Sequence, residues 1–217
     1  MPFDVIWRNA PLLASGLALT VLISAIAIVA GIAIGVPVAA MRMSHSRVAR
    51  AAAVAYIDVI RNTPVLIQIL LMYLGLPEFG IRLTPVVAAV IALSLNNGAY
   101  VAEIVRGGLR SVPAGQFEAA AAIGLPRRVT FVEIVLPQAI RRIYPALTNQ
   151  CILIVLGSSI ASIIGAPEIT QQVLFLDSRT YRTVELLAFL TITYGLLTFG
   201  LSRLSALLGR RLDRAFV

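Results

Sequence analysis

FEAAAAIGLPRRVTFVEIVLP, residues 117–137, interrupts a chain that otherwise reads as apolar helix. The four alanines Ala119 to Ala122 favour a helix, and Pro113 suits the turn that starts it. Gly124-Leu125-Pro126 should end that helix, because a proline disfavours helical geometry in the residue before it. Arg127-Arg128 then opens a second short helix running toward Leu136-Pro137. Two readings of the residues stay open: a surface of small side chains on which another protein docks, or an ordinary loop between spans.

The rest of the chain sets the context for this segment. Of its 217 residues 59% are hydrophobic and 13% charged, with a mean hydropathy of +0.92. A soluble domain carries about a quarter of its residues charged. Several apolar runs approach the roughly 20 residues needed to cross a bilayer core. The composition is that of a polytopic membrane protein, and the first run, 12–40, exceeds a signal-peptide core of roughly 7–15 residues. It is expected to be a retained helix.

All 18 cationic residues are arginine. Without lysine there is no phosphate-binding loop of the Gly-Lys-Ser/Thr type and no Schiff base. Single Cys151 and His45 leave no disulfide framework, no zinc set and no nucleophilic triad. An enzyme acting alone is not expected, and any energy consumed has to come from a partner ATPase.

Five spans are expected, at about 12–41, 48–76, 85–105, 140–164 and 184–208. The arginine clusters 42/47/50, 106/110/127/128/141/142 and 203/210/211/214 then fall on one side. The other side keeps Arg8, Arg82, Arg179 and Arg182, mixed with Asp4, Glu78, Glu168 and Asp177. The positive-inside rule gives an external N-terminus and a cytoplasmic C-terminus. The net charge of +8 is therefore a topology signal, and no nucleic-acid partner is expected. In this arrangement 112–137 is a cytoplasmic segment between spans three and four of a single transmembrane domain, 1–217.

Glu118-Ala119-Ala120, Gly124, Ile134 and Leu136-Pro137 resemble the EAA loop of ATP-binding-cassette importer permeases. Three neighbouring stretches are similar to the polar amino acid uptake permeases, the group of the histidine, glutamine and arginine importers. They are RNTPVLIQ (61–68), NNGAYVAEIVRGGLRSVPAGQFEAA (96–120) and SSIASIIGAPEIT (158–170). The resemblance covers the chain from about residue 15 onward. It implies that the loop forms a coupling helix seated in a groove of an ATPase subunit, with Glu118, Ala119, Ala120, Ala121, Gly124, Leu125 and Pro126 as the contact set. Glu118 would lie early in the helix, where the dipole favours a carboxylate. Two departures stand out. Asn62 replaces the usual glycine of Arg-Gly-Thr-Pro, and Leu156-Gly157 stands where relatives often carry Lys-Asp.

Candidates for a solute path or gate are the polar residues inside spans, since these are costly in a membrane. Asp58 and Arg61, three apart, are placed to neutralise each other on one helical face, and Pro64 is expected to kink the helix beside them. Thr63 and Gln68 follow on the same span. Asn96, Tyr100 and Glu103 share a face by i, i+4, i+7 spacing, with Asn97 beside them and a Glu103–Arg106 pair preferred. Asn149, Gln150, Ser158 and Ser159 are the candidates on span four, the serines with a tendency to bond back to their own backbone. Arg179 and Arg182 are expected outside, near Glu168, where a solute-binding protein would deliver substrate.

The sequence therefore implies an all-α membrane protein with about five spans, acting as the pore subunit of an importer for polar amino acids in a bacterial inner membrane. It would work with an ATPase dimer holding ATP and Mg, an identical or similar permease, an external solute-binding protein and membrane lipid, and bind no cofactor or metal itself. The rivals are a secondary transporter, with Asp58 and Glu103 as ion sites, and a non-transporting membrane scaffold.

Overall fold

A computed structural model describes residues 4–215, and all regular structure among them is helical. In chain order the α-helices are α1 (Asp4–Arg8), α2 (Ala10–Met43), α3 (Arg47–Arg61), α4 (Val65–Leu70), α5 (Pro85–Arg110), α6 (Ala114–Ala122), α7 (Arg127–Val129), α8 (Leu136–Gly157), α9 (Ile169–Thr180) and α10 (Thr183–Ala215). Four stretches are long and apolar enough to cross a membrane: Ala10–Met43, Pro85–Arg110, Arg127–Ile164 and Thr183–Arg210. The bent pair Arg47–Arg61 and Val65–Phe79 makes a fifth if it is counted as one.

The central pair is α2 against α5. On α2 the residues Gly16, Thr20, Ser24, Ala27, Gly31, Gly35 and Ala39 recur every three or four positions and are all buried. In hydrocarbon there is no hydrophobic drive between helices, so small residues that let backbones approach do the holding. A Cβ on Gly31 would lie 2.3 Å from Asn97 Nδ2, and one on Gly35 would lie 2.7 Å from the Gly98 carbonyl oxygen. Ile23, Ile69, Leu93 and Ile154 complete the core around this contact. At the periphery, α10 leaves Ile192, Leu196, Phe199 and Leu207 exposed, as suits a helix surrounded by lipid.

Span two does bend beside Pro64 as expected, but sharply: α3 and the helical run Val65–Phe79 meet at 103°. Span four does not begin after a separate short helix, because α7 passes through a π turn, Thr130–Val135, directly into α8. In a regular helix the Pro137 ring would strike the carbonyl of Glu133 four residues back. The wider π turn lies over that position and lets the helix run on.

Candidate functional site

The 103° bend exposes backbone carbonyls, and side chains answer several of them. Asn62 Nδ2 donates to the Asp58 carbonyl at 2.8 Å, and Thr63 Oγ1 to that of Val59 at 2.9 Å. The Ile60 carbonyl is the one that Pro64, lacking an N–H, cannot serve. Gln68 Nε2 reaches back to it at 2.8 Å, and also contacts the Thr63 carbonyl at 3.1 Å and Thr63 Oγ1 at 2.9 Å. Its other end, Oε1, accepts from Asn96 Nδ2 on α5 at 3.1 Å. One buried glutamine therefore fixes the break and aims Asn96.

In front of the break lies a groove of about 580 Å³, lined by Arg61, Asn62, Thr63, Pro64 and Val65, by Leu93, Asn96 and Tyr100 of α5, and by Gln150, Leu153, Ile154 and Gly157 of α8. That volume falls in the range of small-molecule sites. Arg61 lies over the Tyr100 ring, 5.1 Å from its centroid.

Four of the candidates, Arg61, Thr63, Asn96 and Tyr100, thus meet in one place, joined by Gln150, while Gln68 supports them from behind. The others do not join them. Asn97 is buried and donates to the Ala27 and Ile28 carbonyls at 3.2 and 3.3 Å, knitting α5 to α2. Asn149 is exposed. Ser158 and Ser159 each bond to the carbonyl three residues back, at 2.7 Å. Asp58 is exposed and forms no ion pair with Arg61.

Arg61 instead leans toward Glu103, with Nη1 4.0 Å from the carboxylate. Glu103 does pair with Arg106, at 2.6 Å, and also meets Arg42 at 3.1 Å. A carboxylate surrounded by three guanidiniums is already neutralised, which removes the need for an ion or proton that the secondary-transport reading placed there.

The 114–122 helix is built for a clean stop. Leu125 N–H bonds to the Ala120 carbonyl and Gly124 N–H to that of Ala121, each at 3.0 Å, with Gly124 at φ +74°. This is a Schellman ending, whose left-handed position favours glycine. Glu118, Ala119 and Ala121 are exposed, as are Phe117 (45%) and Ile123 (75%). Ala120, however, is only 2% exposed and packs inward, so it offers no surface for a partner to approach.

Glu168, expected on the external side among mixed charges, is fully buried. It caps α9, accepting from Thr170 N–H at 2.9 Å and Gln171 N–H at 2.8 Å, and accepts from Thr20 Oγ1 of α2 at 3.3 Å and Tyr194 OH of α10 at 3.2 Å. Burial pushes its carboxyl above the ordinary carboxylate range, with the two backbone N–H groups pulling the other way. The expected companions lie elsewhere: Arg179 stacks on Phe175 at 4.2 Å, and Arg182 pairs with Glu185 at 3.3 Å.

A helical bundle with four or five candidate membrane spans and a groove against a sharply bent helix has the architecture of a multi-pass membrane protein, and sequence comparison makes it a permease of a particular lineage. Residues 27–216 match the family described as binding-protein-dependent transport system inner membrane component, and the chain belongs to that family. It is 41% identical to the octopine transport system permease protein OccM of Rhizobium radiobacter, over 96% of this chain and 89% of the relative. It is 35% identical to the glutamine transport system permease protein GlnP of Escherichia coli K12, over 98% and 99%. A crystal structure of an amino acid ABC transporter with histidines superposes with a TM-score of 0.91 at 38% identity, covering 97% of this chain and 99% of that one. The MetNI methionine ABC transporter in an inward-facing form shares the fold, with a TM-score of 0.73 at 21% identity.

Proposed function

We propose that this chain is the translocation subunit of an ATP-driven importer of polar amino acids in a bacterial inner membrane, with its N-terminus outside and its C-terminus in the cytoplasm. The observation that supports the reading most is the groove: Arg61, Asn96, Tyr100 and Gln150, drawn from three helices, converge on a space large enough to admit an amino acid, beside a fixed helix break. It is open on one side, as expected of half a pathway completed by a second permease. The 114–122 helix, with Phe117 and Ile123 exposed, is the surface offered to a separate ATPase that binds ATP and Mg. A solute-binding protein delivers substrate at the opposite end. ATPase closure would move the helix as a rigid lever and switch the groove between the two sides of the membrane.

The test is reconstitution of the whole complex in proteoliposomes with ATP inside and labelled amino acid outside. Wild type should accumulate solute only with both ATP and binding protein present. Leu153→Trp, which places an indole in the groove mouth, should abolish uptake while the complex still assembles. Accumulation without ATP, or uptake untouched by that substitution, would remove the groove from the pathway.

A further inference from the structure

The groove lining carries one charged side chain, Arg61, and no carboxylate. Asn62, Thr63, Asn96, Tyr100 and Gln150 supply the polar remainder as uncharged amides, a hydroxyl and a phenol. A solute entering here meets a fixed positive charge and nothing to balance a positive charge of its own. The acid nearest to Arg61 is Glu103, at 4.0 Å, and it is already held by Arg106 at 2.6 Å and Arg42 at 3.1 Å. Loss of Arg61 from that cluster would leave Glu103 compensated twice over. Arg61 is therefore free to exchange the long contact with Glu103 for a bidentate contact with a substrate carboxylate, the geometry for which a guanidinium is suited.

We infer that the groove selects by charge, accepting amino acids whose side chains are neutral or acidic and rejecting those with cationic side chains, with Arg61 as the carboxylate receptor. The inference rests on the groove being the solute path. Rejection follows from two costs that act together: a cationic side chain loses water in the groove without gaining a counter-charge, and it shares a narrow space with the Arg61 guanidinium. A substrate with a second carboxylate gains at the same position. Glu103 is a positioning residue in this scheme. It holds Arg61 at the groove wall between substrates and does not touch the solute.

Gly157 provides a direct test, because it lines the groove with a helical backbone (φ −65°). A Cβ there meets only Leu93 Cδ2, at 3.8 Å, an ordinary van der Waals contact, so the backbone accepts a side chain at this point of the lining. The experiment is equilibrium binding of labelled glutamine, glutamate, arginine and lysine to the detergent-solubilised permease–ATPase complex, without the solute-binding protein, so that the binding protein's own selectivity does not enter. Wild type should bind glutamine or glutamate at least about tenfold more tightly than arginine or lysine, a difference of about 1.4 kcal/mol. Gly157→Asp should narrow or reverse that ratio. Arg61→Gln should weaken all carboxylate ligands, glutamate most, and Arg61→Lys should recover part of the loss. Equal affinity of wild type for arginine and glutamine overturns the charge filter, as does a Gly157→Asp complex with unchanged ratios. Failure of the groove itself is separately visible: Leu153→Trp would then leave binding of every ligand intact, which overturns both readings at once.

Discussion

Two of the helix breaks, at Asn62–Pro64 and at Ile123–Pro126, use opposite chemistry. At Asn62–Pro64 the carbonyls of Val59 and Ile60 are closed by the side chains of Thr63 and Gln68, and the Asn62 amide adds to an Asp58 carbonyl that its own N–H already meets. At Ile123–Pro126 the carbonyls are closed by backbone N–H groups around a left-handed glycine. The first solution consumes the local polar side chains and locks the bend to α5, so the groove wall is rigid. The second leaves every nearby side chain unspent, so Phe117, Glu118 and Ile123 remain available to a partner. A break stitched by side chains builds a site inside the chain, and one stitched by backbone presents a surface outside it.

The sharpest way to break this contrast is at Gln68. Gln68→Leu keeps the size and removes all three donated bonds and the acceptor for Asn96. The Thr63 carbonyl loses its donor and the half-buried Ile60 carbonyl keeps only the 3.4 Å contact from Thr63 Oγ1, at about 1–3 kcal/mol for the pair. The solubilised complex should melt about 5–10 °C lower, and uptake should fall with it. Gln68→Glu, which restores the acceptor but not the donors, should be no better. Unchanged melting for both would show that Thr63 and water suffice to hold the bend.

Gly124 is the corresponding point at the other break, and there the expected effect separates activity from stability. A Cβ on Gly124 has no atom within 4 Å, so only the φ of +74° resists substitution. Gly124→Val forces a β-branched residue into the left-handed region at about 1–2 kcal/mol. The helix stop should shift, reducing ATP-driven uptake about tenfold, with little change in melting temperature. Gly124→Asn, which tolerates that region, should retain most uptake. Equal activity in all three would detach this ending from coupling.

Much of this was legible in the sequence, and the parts that were not share a cause. Helical spans, the stop at Gly124-Leu125-Pro126 and the Glu103–Arg106 pair follow from local rules of period, propensity and spacing. The 103° bend was not legible, because a proline announces a break but not its angle. That angle depends on Gln68 returning to Ile60 and on Asn96 meeting it from 28 residues away. Asn96 and Asn97 are adjacent and chemically identical, yet one faces the groove and the other α2. Long-range contacts distinguish them: Asn97 packs on Gly31 and bonds to the Ala27 and Ile28 carbonyls, while Asn96 bonds to Gln68. The burial of Glu168 was not legible for the same reason: its partners Thr20 and Tyr194 lie 148 positions before it and 26 after it. Ala120 turned inward because the following helix, not a partner, covers that side of α6.

Glu168 gives the smallest expected effect and a test of whether a buried acid can be held like the Gln68 junction, by hydrogen bonds rather than counter-charge. Its carboxyl is raised above the unfolded value of 4.5, so the folded protein binds the proton more tightly than the unfolded chain. Stability from this group is then complete below that value and declines as pH rises through the folded one. Glu168→Gln cannot ionise, so its stability should be flat over the same window. It should also start lower, by about 1 kcal/mol, because one oxygen replaces the two that cap α9 and receive Thr20 and Tyr194. Melting curves of wild type and variant should therefore lie apart near pH 4.5 and converge as pH rises. Divergence with rising pH would mean that the N–H and hydroxyl donors around Glu168 outweigh its burial and hold it as a carboxylate.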